Sequence, residues 1–257
     1  MPMTQNDVPI YFTSLGEGDP ILFCHGAGGN ASIWWKQFEF FSPDYQCISF
    51  DHRGFGRSRC IREDFSLVEY GKDAISVLDA LNIESAHIVC QSMGGWTGMQ
   101  LAVDHPSRVK SLTLGDTIAG INLSSGVSGM ESIIRQIQAV GGSNVALGGR
   151  FRKEKPVDAF LYREISAFNT QIRGYDLYGN MFRSEVLKDV AVCKDVACPV
   201  LIVSGADDAF WPPKVLKELA SYFSAAKFAE IDAGHSPYYE TPEEYNRVLK
   251  CFLEGIG

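Results

Sequence analysis

Clustered positive charge is what this sequence has least of. Its 257 residues carry 23 Lys+Arg against 31 Asp+Glu, a formal net charge of -8. No stretch gathers the Lys and Arg that a phosphate backbone requires, so nucleic acid and anionic membrane are poor partners and a small-molecule substrate is expected. No apolar run approaches the ~20 residues of a membrane span. The first ten residues contain Asp7 and two prolines but neither a basic n-region nor an apolar h-region, and the chain reads as soluble, unexported and cytoplasmic. The seven cysteines, at 24, 47, 60, 90, 193, 198 and 251, are odd in number and form no C-x-x-C pair. That usage suits reduced thiols and not a disulfide frame. None of the five histidines stands at metal-ligand spacing, and no metal or cofactor is expected. Internal repeats, linkers and low-complexity segments are absent too.

What is present is alternation. Ile10–Phe12, Ile21–Cys24, Cys47–Phe50, His87–Cys90 and Val109–Leu114 are short β-rich runs bounded by Gly, Pro, Asp or Asn, the signature of strands. Between them Tyr70, Ala74, Val77, Leu78 and Leu81 recur at helical spacing, and a second helix is predicted from Gly94 to Val103, stopped by Asp104-His105-Pro106. Such alternation predicts an α/β fold, a mostly parallel sheet with helices on both faces. From about Asp116 to Val190 the pattern turns helical, with stretches at Glu131–Val140, Pro156–Asn169 and Leu177–Val190 broken by Gly141-Gly142 and Gly148-Gly149. The α/β pattern then resumes with a strand at Pro199–Val203, a helix at Pro213–Phe223, a strand at Lys227–Ile231 and a closing helix. For that last helix Thr241 is the expected N-cap, Pro242 the first residue and Glu244 the partner in a capping box. The length suits one large α/β domain carrying an insertion.

Chemistry is concentrated at strand ends. Cys90-Gln91-Ser92-Met93-Gly94-Gly95 joins a strand to a helix with a serine at the tip. A nucleophilic serine needs that sharp turn to project its Oγ, and small residues two places to either side let neighbouring backbones approach. Gly94 meets the requirement, while Cys90 stands where glycine is usual; its alternation in the strand marks it as a buried small hydrophobe. His25-Gly26-Ala27-Gly28-Gly29 follows the strand ending at Cys24 and leaves backbone N–H groups unshielded. The Ala27 and Met93 N–H groups are thus placed to form an oxyanion hole. A phosphate cradle fits less well, because the loop has neither G-x-G-x-x-G nor a Walker lysine. Downstream, Asp207-Asp208 ends one strand and Ala233-Gly234-His235 follows the next, on the ligand side of such a sheet. Serine requires a base, and the base an acid that fixes its tautomer. His235 fills the first role; Asp207, Asp208 and Asp116 are candidates for the second.

Together these residues resemble the α/β-hydrolase superfamily over nearly the whole chain. The order Ser92, Asp208, His235 is the order of that fold. Asp51-His52-Arg53-Gly54-Phe55-Gly56-Arg57-Ser58 is similar to the family's D-x-R-G-x-G-x-S segment, and His235-Ser236-Pro237 with Pro242-Glu243-Glu244 to its histidine loop and final helix. The resemblance implies an eight-stranded sheet, with residues 1–115 and 191–257 as core and 116–190 as a helical cap. It also puts the acid at the end of G-x-x-D with a proline four residues on, which selects Asp208 before Pro212; some relatives carry the acid after the sixth strand, where Asp116 falls. Serine at the elbow sets the chain apart from the haloalkane dehalogenases and epoxide hydrolases, which carry Asp there. The first expectation is a carboxylesterase-like serine hydrolase of ester or lactone bonds. Carbon–carbon hydrolysis of vinylogous diketones is the alternative, since Q-S-M-G-G resembles those elbows, although their oxyanion loop bears serine and proline. A cofactor-free perhydrolase side reaction and a non-catalytic ligand-binding member of the fold are further readings. Trp34, Trp35, Phe38, Phe40 and Phe41 after the oxyanion loop, and Phe151, Phe160, Tyr162, Phe168, Tyr175 and Tyr178 in the insertion, are candidates for an apolar pocket, or for core between cap and sheet.

Overall fold

A computed structural model describes residues 1–128, 130–140, 145–172 and 175–256. Seven strands form one sheet in the order β1-β3-β2-β4-β5-β6-β7: β1 (Phe12–Leu15), β2 (Asp19–Cys24), β3 (Tyr45–Phe50), β4 (Ala86–Gln91), β5 (Val109–Gly115), β6 (Val200–Gly205) and β7 (Ala226–Ile231). Only β1 runs antiparallel to its neighbour; the others are parallel. The eighth strand of the family pattern is reduced to a single antiparallel bridge, Met3 to Tyr11. Pro2 and Pro9 bring no N–H to a ladder there, and Thr4 Oγ1 instead accepts from the backbone of Ile10 at 3.0 Å.

Both faces of the sheet are buried, and the period-2 alternation of each strand divides its side chains between two cores. Leu22, Cys24, Ile88, Cys90 and Ile202 pack on one side, against helices α2 (Tyr70–Ala80), α3 (Gly94–Asp104) and, later in the chain, the helix Pro213–Ala220. Ile21, Phe23, Val89, Leu201 and Val203 pack on the other, against α1 (Trp35–Phe41) and the closing helix Pro242–Glu254. Register aligns the carboxyl ends: Gln91 lies beside Gly115, and Gly205 beside Ile231. The loops that leave β4, β5, β6 and β7 therefore converge on one edge.

Between β5 and β6 the described residues form no named strand and are mainly helical or turn, with helices α4 (Met130–Val140), α5 (Gly149–Glu154) and α6 (Pro156–Ala167). The expected joint Gly141-Gly142 lies outside the described residues, whereas Gly148 is the N-cap of α5. The stretch expected to be helical from Leu177 to Val190 keeps its helix only over Leu177–Met181. Lys188 is drawn out of helix because its backbone pairs with the other end of the insertion: Ile121 bridges Lys188 in parallel, and Asn122 N donates to Lys188 O at 2.8 Å. Thr241 and Pro242 stand where expected before the closing helix, but the capping box does not form. A helical turn, Pro237–Glu240, immediately precedes, and the Thr241 hydroxyl returns to the Pro237 carbonyl at 3.3 Å. Among the described residues no helix is long and apolar enough to cross a membrane. The cysteines are free, and Cys90 is wholly buried in β4.

Candidate active site

At the end of β4 the backbone of Ser92 takes φ +50°, a left-handed conformation that costs an L-residue about 1–3 kcal/mol. The next strand and the following helix hold it there: Ser92 N donates to Gly115 O of β5 at 2.9 Å, and Gly95 N of α3 to Ser92 O at 2.8 Å. A Cβ at Gly94 would lie 2.1 Å from the Cys24 carbonyl oxygen, and one at Gly95 2.4 Å from Thr117 Oγ1, so these two positions exclude any side chain. Cys90 is accommodated by Gly98 on α3, where a Cβ would meet the Cys90 sulfur at 2.4 Å. The departure from glycine at 90 is thus matched by a glycine about one turn into the helix.

The loop after β2 lies directly on this elbow. A Cβ at Gly26 would fall 2.0 Å from Gln91 Oε1 and 3.0 Å from Ser92 Cβ. His25 anchors the loop from below, with Nδ1 bonded to the Gly26 carbonyl at 2.8 Å and Nε2 accepting from His52 N at 3.0 Å. Only a neutral ring protonated on Nδ1 satisfies both, and burial holds its pKa down to about 4. Ala27 faces the cavity described below, and Met93 is buried at the N-cap of α3. The D-x-R-G-x-G-x-S segment is scaffold for this loop. Asp51 accepts from Ala31 N and Arg57 N, both at 2.7 Å. Gly56, at φ +47°, clears a site where a Cβ would stand 2.3 Å from that carboxylate.

Asp207 and Asp208 part company. Asp207 is exposed; Asp208 is buried, and its Oδ1 lies 2.9 Å from His235 Nδ1 and 2.7 Å from Phe210 N. Three residues that sequence reasoning passed over complete the setting of His235. Phe210 stacks on its ring at 4.1 Å between centroids. The Gln91 side-chain amide donates to the His235 carbonyl at 2.9 Å, tying the elbow to the histidine loop. Glu240 accepts from the N–H groups of Gly148, Gly234 and Ser236 at 3.1, 3.1 and 3.2 Å, which joins that loop to the insertion. Phe210 follows Asp208 and Gln91 precedes Ser92, so adjacency was a usable signal; Glu240 offered none, because two of its partners are backbone groups of its own loop and the third lies 92 residues away.

Ser92 and His235 share the wall of a cavity of about 680 Å³. Phe210, Trp211 and Ala27 line it from the core, and Tyr162, Tyr175, Tyr178, Leu177 and Met181 from the insertion. Burial pushes the Tyr178 phenol up to about 12, which keeps it a neutral hydrogen-bond donor. Of the other aromatic candidates, Trp34, Phe38 and Phe41 pack around Phe23, Phe151 packs on Tyr239, and Trp35, Phe40, Phe160 and Phe168 are exposed. Asp116, at φ +47° after β5, lies behind the pair. Asp116, Asp208 and His235 each bring one potential metal-ligand atom to within 4.8 Å of the others, but His235 Nδ1 and Asp208 Oδ1 are already engaged with each other.

The sequence pattern of the alpha/beta hydrolase fold family matches residues 19–128. The solved structure of Est816, described as an N-acyl homoserine lactone degrading enzyme, is 30% identical, covers 98% of this chain and 100% of its own, and superposes with a TM-score of 0.85. The chain belongs to the α/β-hydrolase fold family. Two curated relatives of this α/β-hydrolase are hydrolases by name. "Putative carbamate hydrolase RutD" of Azorhizobium caulinodans is 29% identical over 97% of this chain and 97% of its own. 3-Oxoadipate enol-lactonase 1 of Acinetobacter baylyi is 26% identical over 92% and 89%.

Proposed function

We propose that this α/β-hydrolase cleaves carboxylic ester or lactone bonds through an acyl-enzyme on Ser92. The observation that carries the reading is a serine on a left-handed strand-to-helix turn, facing a cavity whose wall includes the histidine of a buried His235–Asp208 pair. Ser92 Oγ attacks the carbonyl carbon while His235 Nε2 takes its proton, and Asp208 steadies the imidazolium. The N–H groups of Ala27 and Met93 hold the oxyanion, the second assisted by the N-terminus of α3. The carbon–oxygen bond then breaks, the leaving alkoxide collects the proton from His235, and a water molecule repeats the sequence to release the acid. The insertion, residues 116–190, serves as the cap of the site and supplies the tyrosines of its wall. The lactone-degrading and enol-lactonase relatives support an acyl–oxygen substrate.

The test uses purified protein with p-nitrophenyl esters of graded chain length, a homoserine lactone and a vinylogous diketone. Ester or lactone turnover is expected, lost in Ser92→Ala, with a fluorophosphonate labelling Ser92 alone. Turnover of the diketone only would establish carbon–carbon hydrolysis instead. Labelling elsewhere, or full activity in Ser92→Ala, would refute the reading.

A further inference from the structure

Two buried carboxyl groups lie beside His235, each bringing an oxygen to within 4.8 Å of the other and of a ring nitrogen, and each has one oxygen without a hydrogen bond. Asp116 is 1% exposed; its Oδ1 accepts from Gly205 N at 2.7 Å, and its Oδ2 has no hydrogen bond. Asp208 is 4% exposed; its Oδ1 serves both His235 and Phe210, and its Oδ2 is likewise unpartnered. Two unpartnered anionic oxygens buried in one pocket would be costly. A single proton between them removes both deficits.

We infer that Asp116 is an un-ionised carboxylic acid that donates its proton to Asp208 Oδ2, and so fixes the carboxylate against which His235 is set. The inference rests on the triad proposed above. Which partner keeps the proton follows from the donors. Asp208 receives two N–H groups, from Phe210 and His235, and Asp116 receives one, from Gly205; each such bond favours the anion, so the charge settles on Asp208. The other groups around Asp116 do not reverse the choice: Glu240 from its helical turn adds negative charge, and the Tyr245 phenol, pushed up by burial, is neutral. Burial first, and the charge of Asp208 second, push the Asp116 carboxyl well above the usual carboxylate range. The position is pinned as well, since Asp116 N donates to Val203 O at 2.9 Å. The proton stays on Asp116 throughout the reaction, making it a positioning residue and not a catalytic one.

Infrared spectroscopy of the protein labelled with carboxyl-¹³C aspartate tests this without reference to activity. At neutral pH an isotope-shifted carbonyl band of un-ionised aspartic acid is expected, absent in Asp116→Asn. Asparagine also tolerates a left-handed backbone and offers a donor to Asp208 and an acceptor to Gly205. Asp116→Asn should therefore keep kcat within about threefold, with KM unchanged. Asp116→Ala, which removes the donor to a charged acceptor, should lower kcat by about 10- to 100-fold with KM little changed. Absence of the band in the wild-type protein would overturn the inference, and so would an Asp116→Asn variant as impaired as Asp208→Asn, which would make Asp116 the anionic partner. Should Asp116→Asn fail to fold, Asp208→Asn takes its place: removal of the neighbouring anion must shift the band, and an unmoved band refutes the pairing. An active Asp208→Asn would count against the triad alone, leaving the infrared band to decide the acid pair.

Discussion

Asp207 and Asp208 show how little separates an exposed residue from one buried against His235. After β6 the chain turns, and only the second of the two points inward to His235. Replacing Asp208 by Asn leaves its shape but presents a donor where Nδ1 needs an acceptor, which favours the wrong tautomer; in the worked serine-protease case that change costs about 10⁴-fold. A loss of that order in kcat is expected for Asp208→Asn, with Asp207→Asn close to wild type in the same ester assay. At this scale the sequence was readable wherever a residue's placement is announced by its neighbours. Ser92, His235, Ala27 and Met93 each sit in a short glycine-bearing word at a strand end, and the structure brings them to one edge of the sheet. Asp208 needed the family pattern to distinguish it from its neighbour, because the direction of a side chain within a turn is set by tertiary contacts. Asp116 was legible as a candidate acid but not as a partner of Asp208: a buried pair 92 positions apart leaves no local trace.

Whole elements were legible in proportion to their burial. All seven strands could be read: the central ones because two covered faces demand unbroken apolar runs, the edge strands β1 and β7 from their short β-rich runs alone. Failures came where other hydrogen bonds overrode local signals: at Lys188 by backbone pairing, and at Thr241 by its hydroxyl turning to the Pro237 carbonyl. The histidine loop depends on a junction of this second kind. One oxygen of Glu240 holds Gly148 and Gly234, and the other holds Ser236, while the Ser236 hydroxyl donates to the Ala146 carbonyl at 3.0 Å. A glutamine at 240 must turn its NH₂ toward at least one of these N–H groups, leaving a buried donor unpaired at a cost of about 1–3 kcal/mol. Urea denaturation of Glu240→Gln should show a loss of that size, and kcat should fall with it, because the loop that carries His235 is held from the same carboxylate. An unchanged midpoint would mean that the junction relaxes around the amide.

The molecule as a whole keeps two histidines uncharged in its core. His25 is held at about 4, and His52 below its ordinary value, in both cases first by burial. In the unfolded chain an imidazole titrates near 6.5. Between about pH 4 and 6.5 the unfolded chain therefore binds a proton that the native one does not, and the free energy of unfolding increases with pH across that window. His25 alone accounts for about 3 kcal/mol over its full range. The melting temperature should fall as pH is lowered from 7 toward 4.5, and His25→Gln should show a shallower fall; equal slopes would remove His25 as the cause. The bridge between Ile121 and Lys188 acts at the same scale, and its meaning is evolutionary. The insertion departs from the sheet and returns to it at adjacent points joined by backbone hydrogen bonds. The entropy of closing a loop grows only slowly with its length, so the sheet is nearly indifferent to how many residues lie between two fixed ends. Such a gate lets the segment that lines the cavity be lengthened, shortened or exchanged by recombination while Ser92, His235 and Asp208 stay where they are.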